Sequence, residues 1–186
     1  AAARLHAEVD PTDLLKHRRV ALAEELLGDI AREPHENDAT RIARAEVRDA
    51  PAADAALAHL AEALMHYNES RSTLDWLESN EPETVQFTRD NIRIQIKRAR
   101  TLELMGRLEA EDVSSGLSDD AYAAAAAGYQ KLDDRKQLSD AERRLWARTV
   151  RNLATAALNK NDAANAVTLF EEADHILPRP TADVLA

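Results

Sequence analysis

An all-α fold of stacked antiparallel helix hairpins is predicted by three observations. Apolar residues make up 45% of the 186 residues but aromatics only 4%, and much of the apolar share is alanine. Alanine is the strongest helix former, and its small side chain lets helices approach closely. Only 4 glycines interrupt the chain. Ala, Leu, Glu and Arg dominate with few runs of β-branched residues, so no sheet is expected. The length suffices for one continuous domain over residues 1–186 with a proper core, ending in a loosely held tail at 179–186.

The first helix is expected at Asp10-Pro11-Thr12-Asp13, which joins a capping aspartate, a proline suited to the first helical position and an acidic residue favoured by the helix dipole. Leu15, Leu22, Leu26, Leu27 and Ile30 recur on one face and predict its inner stripe. Pro34 to Asn37 predicts a break, after which Ile42, Ala43 and Val47 continue a second helix, completing a hairpin. Pro51 separates a second pair. Ala53, Ala56, Leu57, Leu60, Ala61, Leu64 and Met65 line its first helix, and Leu74 with Leu77 line a short one after a break at Asn68-Glu69-Ser70.

Beyond Pro82 a long helix is expected to about Glu111, with Val85, Ile92, Ile96, Ala99, Leu102, Met105 and Leu108 facing inward. The strand-like alternation of Ile92 to Ile96 sits inside that helical period. Ser114-Ser115-Gly116 reads as a loop, and Ser118 starts the helix that carries Tyr122, Ala125, Tyr129 and Leu132. Ser139-Asp140-Ala141-Glu142 matches a capping box, in which hydroxyl and carboxylate satisfy free backbone donors reciprocally. Leu145, Val150, Leu153, Ala154 and Ala157 fill the inner face of the helix that follows. A last helix from about Asp162 ends before Pro178. The total is about eight helices in four hairpins.

A net charge of -10 disfavours nucleic acid and anionic membrane surfaces as partners. The absence of cysteine removes disulfides, thiolate metal sites and cysteine nucleophiles. No apolar run approaches the roughly 20 residues that span a bilayer, and no signal-peptide pattern opens the chain. An opening at Ala1 fits a processed protein or an excised fragment, and cytoplasm and periplasm both fit.

The stretch Arg151 to Ala173 resembles a tetratricopeptide repeat, a helix hairpin of about 34 residues. Leu153 and Ala154 stand at the family's first-helix leucine and small residue, and Asn161-Asp162 at its turn. Ala166, Phe170 and Ala173 stand at its second-helix alanine, aromatic and second alanine, and Pro178 at its closing proline. The best-matching repeat spans 147–178. Ala157 and Val150 stand where the family usually has tyrosine and tryptophan, and Ala154 where glycine is commoner. Pro51 and Pro82 are similar to the ends of two degenerate repeats, with Leu26 and Leu57 at the first-helix leucine. The resemblance implies a right-handed superhelix, first helices lining a concave groove, and a protein or peptide as partner.

No catalytic, cofactor-binding or metal-binding constellation can be named. His6, His17, His35, His59, His66 and His175 include no pair three or four apart, and neither a phosphate loop nor a serine elbow occurs. Trp146 is expected to pack between hairpins, whereas Trp76 suits either core packing or an exposed partner anchor. The charge pattern reverses locally: Arg89, Arg93, Lys97 and Arg100 fall at steps of four, four and three on one face, and Arg144, Arg148 and Arg151 repeat the theme. In a groove these stripes would attract an acidic segment or a terminal carboxylate. Alternatively, the arginines pair with acidic residues on adjacent helices. Of the family's carboxylate clamp, only Asn152 with Arg148 stands in comparable register.

A scaffold or adaptor that binds an acidic or extended partner segment is the leading functional expectation. A small acidic secretion-type chaperone that holds an apolar segment is the alternative. An end hairpin with apolar surface makes a homo-oligomer a further expectation.

Overall fold

The computed structural model describes residues 13–44, 50–109 and 115–177, and these form six helices with no strand among them. They are α1 (Leu14–Arg44), α2 (Ala50–Asn80), α3 (Val85–Leu108), α4 (Ser115–Asp134), α5 (Asp140–Asn159) and α6 (Ala163–Ile176). The all-α class holds, but six helices replace the expected eight because two anticipated breaks are helical. Asp10 to Thr12, Val47, Ser114 and the tail at 179–186 lie outside the described residues.

Pro34 sits inside α1 instead of ending it. Proline removes the N–H that would bond the carbonyl of Ile30. Both Pro34 and Ile30 are exposed, on the side of the helix where water can satisfy a freed carbonyl, and the helix continues. The Asn68-Glu69-Ser70 break is likewise absent, because the buried stripe of α2 runs through it: Ala56, Leu60, Ala63, Tyr67, Ser70, Leu74 and Leu77 alternate steps of four and three. Pro51 occupies the first turn of α2, where its missing N–H is not needed.

The chain divides into two compact units, Ala1–Ala121 and Tyr122–Ala186. In the first, α2 packs on both α1 and α3, and α1 also touches α3. One core cluster joins Ala21 of α1, Ala63, Tyr67, Leu74 and Leu77 of α2, and Phe87 and Ile94 of α3. A second joins Ala53, Ala56 and Leu60 to Leu104 and Leu108. Each buried leucine or isoleucine here stabilises by about 2 kcal/mol. Gly28 sets the closest approach: a Cβ there would lie 2.5 Å from Cε1 of Tyr67.

The face that α1 turns inward is a correction. Ala21, Glu24, Glu25 and Gly28 are buried, whereas Leu15, Leu26, Leu27 and Ile30 of the expected inner stripe are exposed and Leu22 is half-buried. Small residues at 21 and 28 let α2 and α3 approach that side, where Glu25 meets Arg93 and Lys97 and Glu24 meets His66.

In the second unit the capping box stands as read. The Ser139 hydroxyl accepts from the Glu142 backbone N–H, and the Glu142 carboxylate accepts from the Ser139 N–H at 2.9 Å. α5 and α6 pack as a hairpin whose buried positions are mostly alanine: Ala147, Ala154, Ala157, Ala166 and Ala173. Lys136 and Asn161, with φ of 57° and 60°, end α4 and α5 in left-handed turns. In each turn the next residue's N–H reaches back five positions, Gln137 to the Leu132 carbonyl and Asp162 to the Ala157 carbonyl, both at 2.9 Å. Asp162 then caps α6 by accepting from the Asn165 N–H. Arg143 pairs with Asp133 across the α4–α5 turn.

Candidate functional site

The densest chemistry in the described residues lies where α1, α2 and α3 meet. α1 contributes Arg18, Glu25 and Asp29, and α3 contributes Asp90, Arg93 and Lys97. Arg93 forks onto Glu25, its Nε and Nη2 donating to the two carboxylate oxygens at 2.6 and 2.7 Å. Its Nη1 also meets Asp90 at 3.0 Å. Asp90 is fully buried and accepts in addition from Arg18 Nε at 2.7 Å and Gln86 Nε2 at 3.0 Å. Lys97 Nζ bridges Glu25 at 2.7 Å and Asp29 at 2.5 Å. Three cations thus neutralise three carboxylates.

α2 adds an aromatic arm. The Tyr67 hydroxyl donates to Asp29 at 2.7 Å, and Lys97 Nζ stands 6.0 Å from the centre of the Tyr67 ring. Burial, with the hydrogen bond to Asp29 second, pushes the Tyr67 pKa well up, so the hydroxyl remains a donor. Next to Tyr67 in the chain, His66 Nδ1 lies 2.8 Å from fully buried Glu24, whose other oxygen, Oε1, has no hydrogen-bond partner among the described residues. Burial alone would raise the Glu25 pKa, but the hydrogen bonds from Arg93 and Lys97 outweigh it and hold the carboxyl below its ordinary value. The hydrogen bond to Glu25 chiefly raises that of Arg93. With every acid of the core triad matched to a cation at hydrogen-bond distance, the network fixes the register of α1 on α3.

The expected basic stripe on α3 is therefore divided. Arg93 and Lys97 point at α1 and are held by its acids, in line with the pairing reading. Arg89 and Arg100 are half-buried at either end. On α5, in the other unit, Arg144, Arg148 and Arg151 are exposed and Asn152 is half-buried. Arg151 pairs with Asp174 of α6 at 2.7 Å, whereas Arg144 and Arg148 have no ion pair among the described residues.

Sequence reasoning missed Glu24, Glu25, Asp29, Asp90, His66 and Tyr67. The signal that could have found the α1 members is the run of small residues Ala21, Gly28 and Ala31, which marks a close-approach face. Trp76 is partly exposed, its ring centre 4.6 Å from that of His17, and Trp146 is buried. No group of three metal-ligating side chains occurs among the described residues, and no described helix is long and apolar enough to cross a membrane.

No protein-family model, no curated protein and no solved structure matches the chain.

Proposed function

We propose that this chain is a protein-interaction scaffold or adaptor that engages another protein surface along the outward face of α1. One observation carries the reading: α1 buries its charged side and leaves Leu15, Leu26 and Ile30 66%, 59% and 60% exposed. These three large aliphatic side chains share one helix face, at steps of eleven and four, with exposed Arg19 and half-buried Leu22 between the first two. Covering each would stabilise a complex by about 1 kcal/mol, since roughly half of a leucine's transfer energy remains to be gained. The engagement of Arg93 and Lys97 inside the first unit directs the reading toward an apolar contact, as a chaperone-like holder of an apolar segment would make.

A second reading rests on Arg144 and Arg148, exposed on α5 without ion pairs among the described residues, which suit an acidic segment. It goes with the proposal that α5 and α6 form one tetratricopeptide-type hairpin, a view supported by the buried alanines and the Asn161-Asp162 turn.

A photo-reactive amino acid placed at Leu26, and in a separate variant at Arg144, distinguishes the readings when the intact protein is irradiated in an extract of its source cells. Protein adducts from position 26 are the expected result. Adducts from position 144 alone would transfer the function to the arginine stripe, and none from either would overturn both readings.

A further inference from the structure

The outward face of α1 is self-complementary. Its positions are Leu15, Arg19, Leu22, Leu26, Ile30, Glu33 and Asn37, spaced by fours and threes along one side of the helix. Counted from Leu26, four residues in either direction lead to Leu22 and Ile30. Seven residues in either direction lead to Arg19 and Glu33, opposite charges at mirror-related positions. Both are exposed, and neither forms an ion pair among the described residues.

We infer that the occupant of this face is a second copy of the chain, its α1 laid antiparallel across a two-fold axis at Leu26. The inference rests on the interaction reading above and names its partner. A two-fold contact places one patch against itself, so residues equally far from the axis on either side meet. Leu26 then meets Leu26 of the other copy, Leu22 meets Ile30, and Arg19 meets Glu33, twice over. Apolar faces apolar and positive faces negative at these three steps, and eleven residues from the axis Leu15 meets Asn37. A parallel pairing would instead set Arg19 against Arg19 and Glu33 against Glu33, which repel. An acidic partner segment would satisfy Arg19 but would confront Glu33, so the charges on the face favour self-pairing over the acidic ligand that the basic stripes suggest.

Sedimentation equilibrium of the intact protein over about a hundredfold range of concentration tests this. The chain is expected to be a dimer that dissociates on dilution. Leu26→Glu, which sets two carboxylates on the axis, should leave only monomer. Glu33→Arg, which opposes two arginines, should weaken the dimer roughly tenfold, as should Arg19→Glu. The combined Arg19→Glu and Glu33→Arg exchange should restore it. All three side chains are exposed, so helix content by circular dichroism should be unchanged and a loss of dimer is then a loss of contact.

A dimer that survives Leu26→Glu, or that the exchange fails to restore, overturns the proposed pairing. A monomer at every concentration also overturns it. In that case adducts to a different protein from a photo-reactive residue at position 26 would leave the interaction reading standing, while an absence of adducts would remove both.

Discussion

The three-helix unit and the α5–α6 hairpin both bring helical backbones together, and they use different side chains to do it. On α5 and α6 five of the nine buried positions are alanine, beside Trp146, Thr149, Val150 and Ile176, so closeness comes largely from small side chains, and the ends are fixed by Ser139, Asn161 and Asp162. Between α1 and α3 the closing side chains are Arg18, Asp90, Arg93, Glu25, Lys97 and Asp29. An alanine face tolerates small slips of one helix along another, since a flat surface has many similar registers. An ion network does not, because each carboxylate loses its partners when the helices shift by a turn. The difference implies that the first unit trades stability for a single register and the hairpin does the reverse.

The largest expected effect comes from breaking the network at its most buried member. Asp90→Ala would leave Arg18 and Arg93 without a shared acceptor, and truncating one side of a buried pair costs about 3 kcal/mol. The chain has two tryptophans, Trp76 in the first unit and Trp146 in the second. Denaturation of Asp90→Ala in a Trp146→Phe background, followed by Trp76 fluorescence, should show a lower midpoint by that amount. A change under about 1 kcal/mol would mean that water replaces the lost carboxylate and that the network contributes no registration.

Next in size is the closest approach between α1 and α2. Gly28→Ala drives a methyl into the ring of Tyr67, which is fully buried and tethered to Asp29, so the ring cannot swing aside without losing its hydrogen bond. A loss of about 2 kcal/mol is expected by the same Trp76 readout, despite the better helix propensity of alanine. Equal or greater stability would show that the two helices can separate, and would remove the contrast with the alanine hairpin.

These two sites also indicate which parts of the fold were legible in the sequence. Helix content followed from Ala, Leu and Glu, and the capping box at Ser139 and the turn at Asn161 were read where they stand, because each is a local bond among neighbours. The long buried stripe of α2 was divided by the polar run Asn68-Glu69-Ser70, where composition outweighed a period that continues through Leu74. The inward face of α1 was read backwards. Leu15, Leu22, Leu26 and Ile30 compete with Ala21, Glu24, Glu25 and Gly28 for the core, and hydrophobicity alone selects the large aliphatic residues. What reverses the choice lies far along the chain: Arg93 and Lys97 are 68 residues from the acids they hold. Pairing was foreseen as one fate of the basic stripe, but its partners could not be named, since no local pattern encodes a contact of that span.

The smallest effect separates the two units by pH. Glu25 has a folded pKa below its ordinary value of 4.5, because Arg93 and Lys97 favour its charged form over the opposing effect of burial. A carboxyl with a depressed folded pKa adds stability that is complete above the unfolded value and is lost as pH falls through the folded one. The Trp76 transition should therefore weaken as pH falls below about 5, through 4.5 and on through the lower folded value of Glu25. The Trp146 transition should weaken less, because the Arg151–Asp174 pair of that unit lies on the surface, where such pairs contribute little. Glu25→Gln, which keeps the shape and removes the titration, should flatten the acid limb of the Trp76 curve and leave that of Trp146 as it was. If both limbs flatten together, or neither does, the acid sensitivity belongs to groups other than the α1–α3 network.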